Sequence, residues 1–340
     1  MTRPPTRTRS LLALLAAALL PACSASVSGP VDGARALAHV QRMVEFGPRP
    51  PGSAAIEQTR QWMEAEIRKL GLEPRRMAFR APGEPQIGEF VNLWTEIPGQ
   101  DPANGPILAL AAHYCSKLTE GHANPAHNFR FVGAIDGAGA SCVLLELARH
   151  LKERKTAPNV WLIWFDGEES LEFEWNDKRA LFGSRHFAAA MQADKQRFPK
   201  GLAQRMKAFV LLDLIGDKDL KIDRDLWSNG DLQKVFLEAA KRMGEERRMF
   251  AWESKITDDH IPFQKLGVPV INLIDFFWRD PNSRKDPAQV PASVRDLQAW
   301  WHTPEDTVDK MSAASLALAG NLVWTALPGI EARFFPAAAR

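Results

Sequence analysis

Residues Trp161-Leu162-Ile163-Trp164-Phe165 form an apolar run of strand length that stops at Asp166-Gly167-Glu168-Glu169. Three of those last four residues carry carboxylates. An unbroken apolar run suits a parallel strand buried on both faces, because such a strand has no solvent side to alternate with. Covering both faces takes helices, which makes the fold α/β. In open sheets of that class, ligands bind beyond the carboxyl ends of the strands. The acidic turn is then either a plain lead into a helix or the rim of a site. On a rim, two adjacent glutamates can divide labour, one holding a metal and the other moving protons.

Other apolar runs end in the same kind of residue. The run 107–112 leads to His113, and 209–212 leads to Asp213. Asp136 lies in Gly133-Ala134-Ile135-Asp136-Gly137, just before a helical stretch, and His302 follows Trp300-Trp301. Singly, a buried histidine, a helix cap or a turn residue explains each of them. Together they place two histidines, two aspartates and a glutamate pair on one rim. Zinc takes nitrogen and oxygen donors of this mix, and a catalytic site leaves one position open.

Periodicity predicts helices over 34–44, 54–70, 138–152, 183–193, 231–243, 259–266 and 312–325. It predicts strands over 90–96, 107–113, 159–165, 208–214 and 268–274. Strands alternating with helices imply a three-layer α/β/α sandwich on a mostly parallel, mixed central sheet. The first two strands are compatible with an antiparallel hairpin. Two long loops, 114–135 and 275–301, interrupt the pattern, and long ordered loops tend to be functional. The 280s fit a disordered tip equally well.

The N-terminus reads as a targeting segment. Arg3, Arg7 and Arg9 precede ten residues of Leu and Ala, a stretch too short to span a bilayer as a stable helix. Leu20-Pro21-Ala22-Cys23 resembles the lipobox of bacterial lipoproteins. That resemblance implies a lipid on Cys23 and an exported protein on the periplasmic face of a membrane; simple cleavage into the periplasm or medium is the alternative. The expected division is a signal peptide over 1–22, a tether over 23–31 and a single catalytic domain over 32–340. Losing residues 1–22 removes three arginines and leaves 40 Lys and Arg against 41 Asp and Glu. Nothing in that balance suggests a nucleic-acid partner. Cys115 and Cys142 could pair in an exported protein or stay as free thiols.

Several pieces, in order, resemble the zinc aminopeptidase and glutaminyl cyclase superfamily over residues 35–327. They are Gly47-Pro48-Arg49-Pro50-Pro51-Gly52-Ser53, His113-Tyr114, Gly133-Ala134-Ile135-Asp136, Phe165-Asp166-Gly167-Glu168-Glu169, Leu211-Leu212-Asp213, Asp259-His260 and His302-Thr303-Pro304-Glu305-Asp306. The glutaminyl-peptide cyclotransferase branch is favoured by His113-Tyr114-Cys115-Ser116-Lys117, Phe182-Gly183-Ser184-Arg185-His186, Asp258-Asp259-His260-Ile261-Pro262-Phe263 and Trp301-His302-Thr303. The resemblance implies one zinc on Asp136, Glu169 and His302, with Glu168 as general acid/base. It implies a hydrogen-bonded acid network from Asp258 and Asp213, and a pocket walled by Trp175 and Trp301. Its substrates would be peptides or proteins beginning with glutamine.

Aminopeptidases of the superfamily use a second metal, for which His113 and Asp213 would serve with Asp136 bridging. There an aspartate two residues after the histidine orients it; here that position is Cys115, a weaker acceptor, so a second metal should bind poorly. Animal cyclases carry a histidine where Asn272 stands, and the connection from there to His302 is longer in this chain. A metallo-aminopeptidase, or an inactive binding protein on the same fold, are the alternative expectations.

Overall fold

Beyond its first residue, the computed structural model describes residues 29–276 and 300–336. The signal segment, Cys23 and most of the 275–301 loop lie outside the described residues. Val31, expected in the tether, is already packed: it is buried, and its N–H donates to Asn321 Oδ1 at 2.9 Å.

The described elements run α1 (Gly33–Glu45), α2 (Ala54–Lys69), β1 (Arg75–Phe79), β2 (Phe90–Ile97), β3 (Ile107–His113), α3 (Ala140–Leu151), β4 (Asn159–Phe165) and α4 (Phe182–Ala193). They continue with β5 (Met206–Asp213), β6 (Ile222–Asp225), α5 (Gly230–Met243), β7 (Met249–Ser254), α6 (Ile261–Gln264), β8 (Val270–Ile274) and α7 (Ala313–Phe334). The central sheet has the order β1-β2-β4-β3-β5-β8. β4, β3, β5 and β8 are mutually parallel, while β1, β2 and β4 pair antiparallel in turn.

Alternation along each strand builds the two outer layers. Leu108, Leu110 and Ala112 of β3 join the core with Val40, Met43, Val143 and Leu322 on one face. Ile107, Ala109 and Ala111 join Phe187, Phe198 and Phe263 on the other. All seven residues of β3 and of β4 are buried, as the apolar runs require.

The structure corrects several expectations. β2 and β3 form no hairpin, because β4 lies between them. β1 went unread because Arg75 and Arg76 hide its pattern on an edge strand. The small parallel pair β6 and β7 was hidden in the same way by Asp223, Arg224 and Asp225. The helix expected over 259–266 shrinks to the four residues of α6. α7 runs past Pro328, because Ala326, Leu327 and Ile330 are buried and their packing outweighs the lost backbone bond. Cys115 and Cys142 are both free and buried.

Candidate active site

The parallel strands deliver their carboxyl ends to one edge of the sheet. His113 closes β3 opposite Phe165 of β4, and Asp213 closes β5 opposite Ile274 of β8. After Phe165 the chain turns through Gly167 at φ 62°, where a side-chain carbon would lie 2.5 Å from the Phe90 ring. Only glycine fits, and the turn points Glu168 and Glu169 toward the rim. Leu181 N–H donates to Glu168 O at 2.8 Å and Phe182 N–H to Gly167 O at 2.7 Å, which fixes the turn's backbone.

Asp166 belongs to the scaffold rather than the rim. It is fully buried, pairs with Arg60 of α2 and accepts the Val91 N–H at 2.8 Å. Arg60 also donates to Tyr114 Oη at 2.7 Å, and that hydroxyl donates to Val91 O. Burial pushes the Asp166 carboxyl up, and Arg60 opposes that shift.

The remaining candidates converge. Asp136 sits in an irregular turn that Gly137 closes at φ 95°. A side-chain carbon on Gly137 would meet Cys115 O at 2.6 Å. The Asp306 carboxylate accepts the N–H groups of Ile135 at 2.7 Å and Asp136 at 3.0 Å, which ties the His302 segment to this turn. His302 Nε2 stands 3.1 Å from Glu169 Oε2 and 3.5 Å from Asp136 Oδ2. His302 adopts φ 50°, an uncommon backbone state for a non-glycine residue that is often found at functional sites. On the opposite side of Asp136, His113 Nε2 lies 3.2 Å from Asp136 Oδ1 and 3.0 Å from Asp213 Oδ1. His113 Nδ1 faces Cys115 Sγ at 3.7 Å.

Two groups of donors could therefore hold a metal: Asp136 with Glu169 and His302, and His113 with Asp136 and Asp213. Within each, the ligand atoms lie within 4.8 Å of one another. The first group fits a cation better. Asp136 Oδ2 and Glu169 Oε1 are buried with no hydrogen-bond donor, which is costly unless something positive meets them. Burial lowers the His302 pKa, which favours the neutral imidazole a metal needs.

A cavity of about 260 Å³ is lined by every candidate residue except His113. Trp301 stacks on His302 with ring centres 3.9 Å apart, and Phe276 meets Trp301 edge-on at 5.3 Å. Trp175 stands at the mouth, more exposed, with Nε1 donating to Asp177 Oδ1 at 2.7 Å. Asp258 and Asp213 share this cavity but are held by separate partners. Asp258 accepts from Asn272 Nδ2 at 2.8 Å, whereas Asp213 accepts the Leu214 N–H at 2.7 Å.

The two glutamates are electrostatically split. Burial pushes Glu168 well above the ordinary carboxylate range, and the charge of Glu169 adds to this while His113 opposes it. Burial acts on Glu169 too, yet His302 and Lys117 hold it at about 2. Burial and Asp213 push Asp258 up to about 7. Neighbouring carboxyls with divergent affinities for protons are the arrangement that acid/base catalysis uses.

Three partners carried no role in the sequence reading. Buried Lys117 lies 3.6 Å from Glu169, Asn272 holds Asp258, and Asp306 holds the Asp136 turn. Lys117 and Asp306 stand inside the quoted motifs and Asn272 is the noted departure from the animal cyclases, so the signal was present without a geometry to interpret it.

Comparison with known proteins places this site in context. The model of peptidase family M28 matches residues 92–327. A glutaminyl-peptide cyclotransferase-like protein of Bos taurus is 32% identical over 247 residues, covering 66% of this chain and 62% of that protein. The chain thus spans somewhat under two thirds of that relative's length. The crystal structure of an Acidobacteriales bacterium glutaminyl cyclase superposes with a TM-score of 0.74 at 30% identity, covering 92% of this chain and 99% of that one. A Zn-dependent exopeptidase from Parabacteroides distasonis shares the fold, with a TM-score of 0.70 at 21% identity over 90% of this chain and 99% of that one.

Proposed function

The chain belongs to peptidase family M28, and from that premise we propose that it cyclises the N-terminal glutamine of peptides to pyroglutamate with release of ammonia. The observation that carries this reading is the split between Glu168 and Glu169 inside one buried cavity. Similarity to the Acidobacteriales glutaminyl cyclase over nearly its whole length supports it.

In this reaction the α-amine nitrogen bonds to the side-chain amide carbon, and the bond from that carbon to the amide nitrogen breaks. One proton must pass from the amine to the departing nitrogen, which leaves as ammonia. Glu168, high in proton affinity and outside the better-fitting donor group, takes and returns that proton. Asp136, Glu169 and His302 would hold one zinc, which when bound supplies Lewis acidity toward the amide oxygen. Trp301 and Trp175 wall the glutamine side chain, and Asp258 and Asp213 orient its polar atoms. Water is not a reactant, so the aromatic wall serves by keeping it out.

The second donor group favours one other reading, a two-metal aminopeptidase. Against it, the group facing His113 Nδ1 is a thiol at 3.7 Å rather than a carboxylate. Restoring the carboxylate with Cys115→Asp is expected to tighten binding of a second zinc by about 10-fold to 100-fold. Titration with zinc under competing chelator reads this directly; unchanged stoichiometry and affinity would remove Cys115 from the account.

Mass spectrometry of a peptide beginning Gln-Phe, incubated with zinc-loaded protein, separates the two chemistries. Cyclisation leaves the peptide whole and lighter by one ammonia. Release of free glutamine would replace the cyclase reading with the aminopeptidase one.

A further inference from the structure

A second cavity, of about 920 Å³, lies beside the first. Thr257 lines both. Two further contacts bridge them. Trp175 of the inner cavity bonds Asp177 of the outer one, and Lys255 of the inner one places its Nζ 5.0 Å over the ring of Trp227 in the outer one. Thr257 is thus a shared wall between the cavity of the buried carboxylates and the groove lined by residues of α4 and α6.

The floor of the outer groove is apolar and low. Ala188 and Ala189 of α4 and Leu266 after α6 leave room for a chain to lie across them. Its rim is basic. Arg185, Lys195 and Lys265 line it, and Lys255 stands at the junction. None of these four cations pairs with a carboxylate among the described residues, although the chain has 41 acidic residues to offer. Arg185 and Lys195 instead donate to backbone oxygens of Asp177 and Gln192. Asp177 is the one acid lining the groove among the described residues, against three cations, and its Oδ1 accepts the Trp175 Nε1–H. Unpaired cations around an apolar trough favour an anionic chain over a neutral one.

We infer that the groove receives the residues following the first one of a peptide substrate, and that it selects peptides whose third to fifth residues are acidic. The inference rests on the reading that the first residue sits among the buried carboxylates. A peptide held there by its N-terminus and leaving over the Thr257 side would run onto the basic rim.

The test uses zinc-loaded protein carrying Glu168→Gln, so that bound peptides stay unconverted. Three peptides labelled at the C-terminus are compared by fluorescence anisotropy at low salt: Gln-Phe-Glu-Asp-Glu, Gln-Phe-Ser-Asn-Ser and Gln-Phe-Lys-Arg-Lys. The acidic peptide is expected to bind about tenfold more tightly than the neutral one, and the basic peptide more weakly still. Adding Lys195→Glu and Lys265→Glu, both exposed, is expected to invert that order. In the otherwise native enzyme the same pair of changes should leave turnover of Gln-Phe amide unaltered, since that substrate ends before the rim. Equal affinities for the three peptides, or an order that survives the charge reversal, would overturn the inference. Ranking by charge without ammonia release from any peptide in the native enzyme would uphold the groove and remove the cyclase reading. Ammonia release without ranking would do the reverse.

Discussion

Glu168→Gln is expected to lower kcat by about 10²-fold to 10⁴-fold, the usual contribution of a positioned acid/base, while bound zinc stays at the native level. The expectation follows from geometry. Glutamine matches the shape of glutamate but cannot exchange a proton at neutral pH. Glu168 stands outside the donor group formed by Asp136, Glu169 and His302, so the site should keep its metal. Metal analysis of the purified variant beside its steady-state kinetics measures both. If zinc disappears together with activity, the two glutamates have been assigned the wrong way round. If activity survives within a few-fold, proton transfer must run through another group, and Asp258 is the one to test next, because burial and Asp213 already hold its pKa at about 7.

Arg60→Ala is expected to destabilise the fold by about 3–5 kcal/mol, the range seen when one partner of a buried ion pair is removed. Arg60 is nearly inaccessible and its partner Asp166 wholly so. Removing the guanidinium leaves a buried carboxylate with backbone N–H groups, those of Val91 and Gly167, but no cation to meet it. The Tyr114 hydroxyl loses the Arg60 donor in the same step. Thermal or urea unfolding measures the loss; in a domain of this size it corresponds to a fall of roughly 10 °C in Tm. A fall of no more than a degree or two would show that water reaches Asp166 and that the pair is not a structural joint.

These two residues show what could and could not be read from the sequence. Glu168 was legible because a buried strand announces itself as an unbroken apolar run, and the residues that break the run must occupy its carboxyl end. The same logic found His113 and Asp213, which close β3 and β5, whereas Asp136 and His302 lie in turns that no described strand precedes and were read from their own surroundings. It said nothing of the role of Asp166, because sequence cannot say which way a side chain leaves a turn. The Gly167 backbone separates Asp166, directed at α2, from the glutamates directed at the cavity. Arg60 was invisible for the opposite reason. It sits among Glu57, Arg60 and Gln61 on a helix and reads as part of a solvated face, yet it is buried by contacts with the β2–β4 end that no local pattern encodes. The strands that were missed are the ones whose charged residues mask alternation, and α7 outran its proline because burial overrode propensity. Topology was legible as a class but not as an order: only the register shows β4 lying between β2 and β3.

The clasp from Asp306 to the backbone of Asp136 joins residues 170 positions apart. A ribosome releases a chain from its N-terminus onward. The turn bearing Asp136 and the paired glutamates therefore emerge long before the histidine that completes their donor group. Until the last part of the chain arrives, those carboxylates have neither the imidazole beside them nor the clasp that sets their spacing. Selection of a metal by geometry would have to wait for that closure, so an ion taken up here would be chosen in the surroundings in which folding ends rather than those in which synthesis begins.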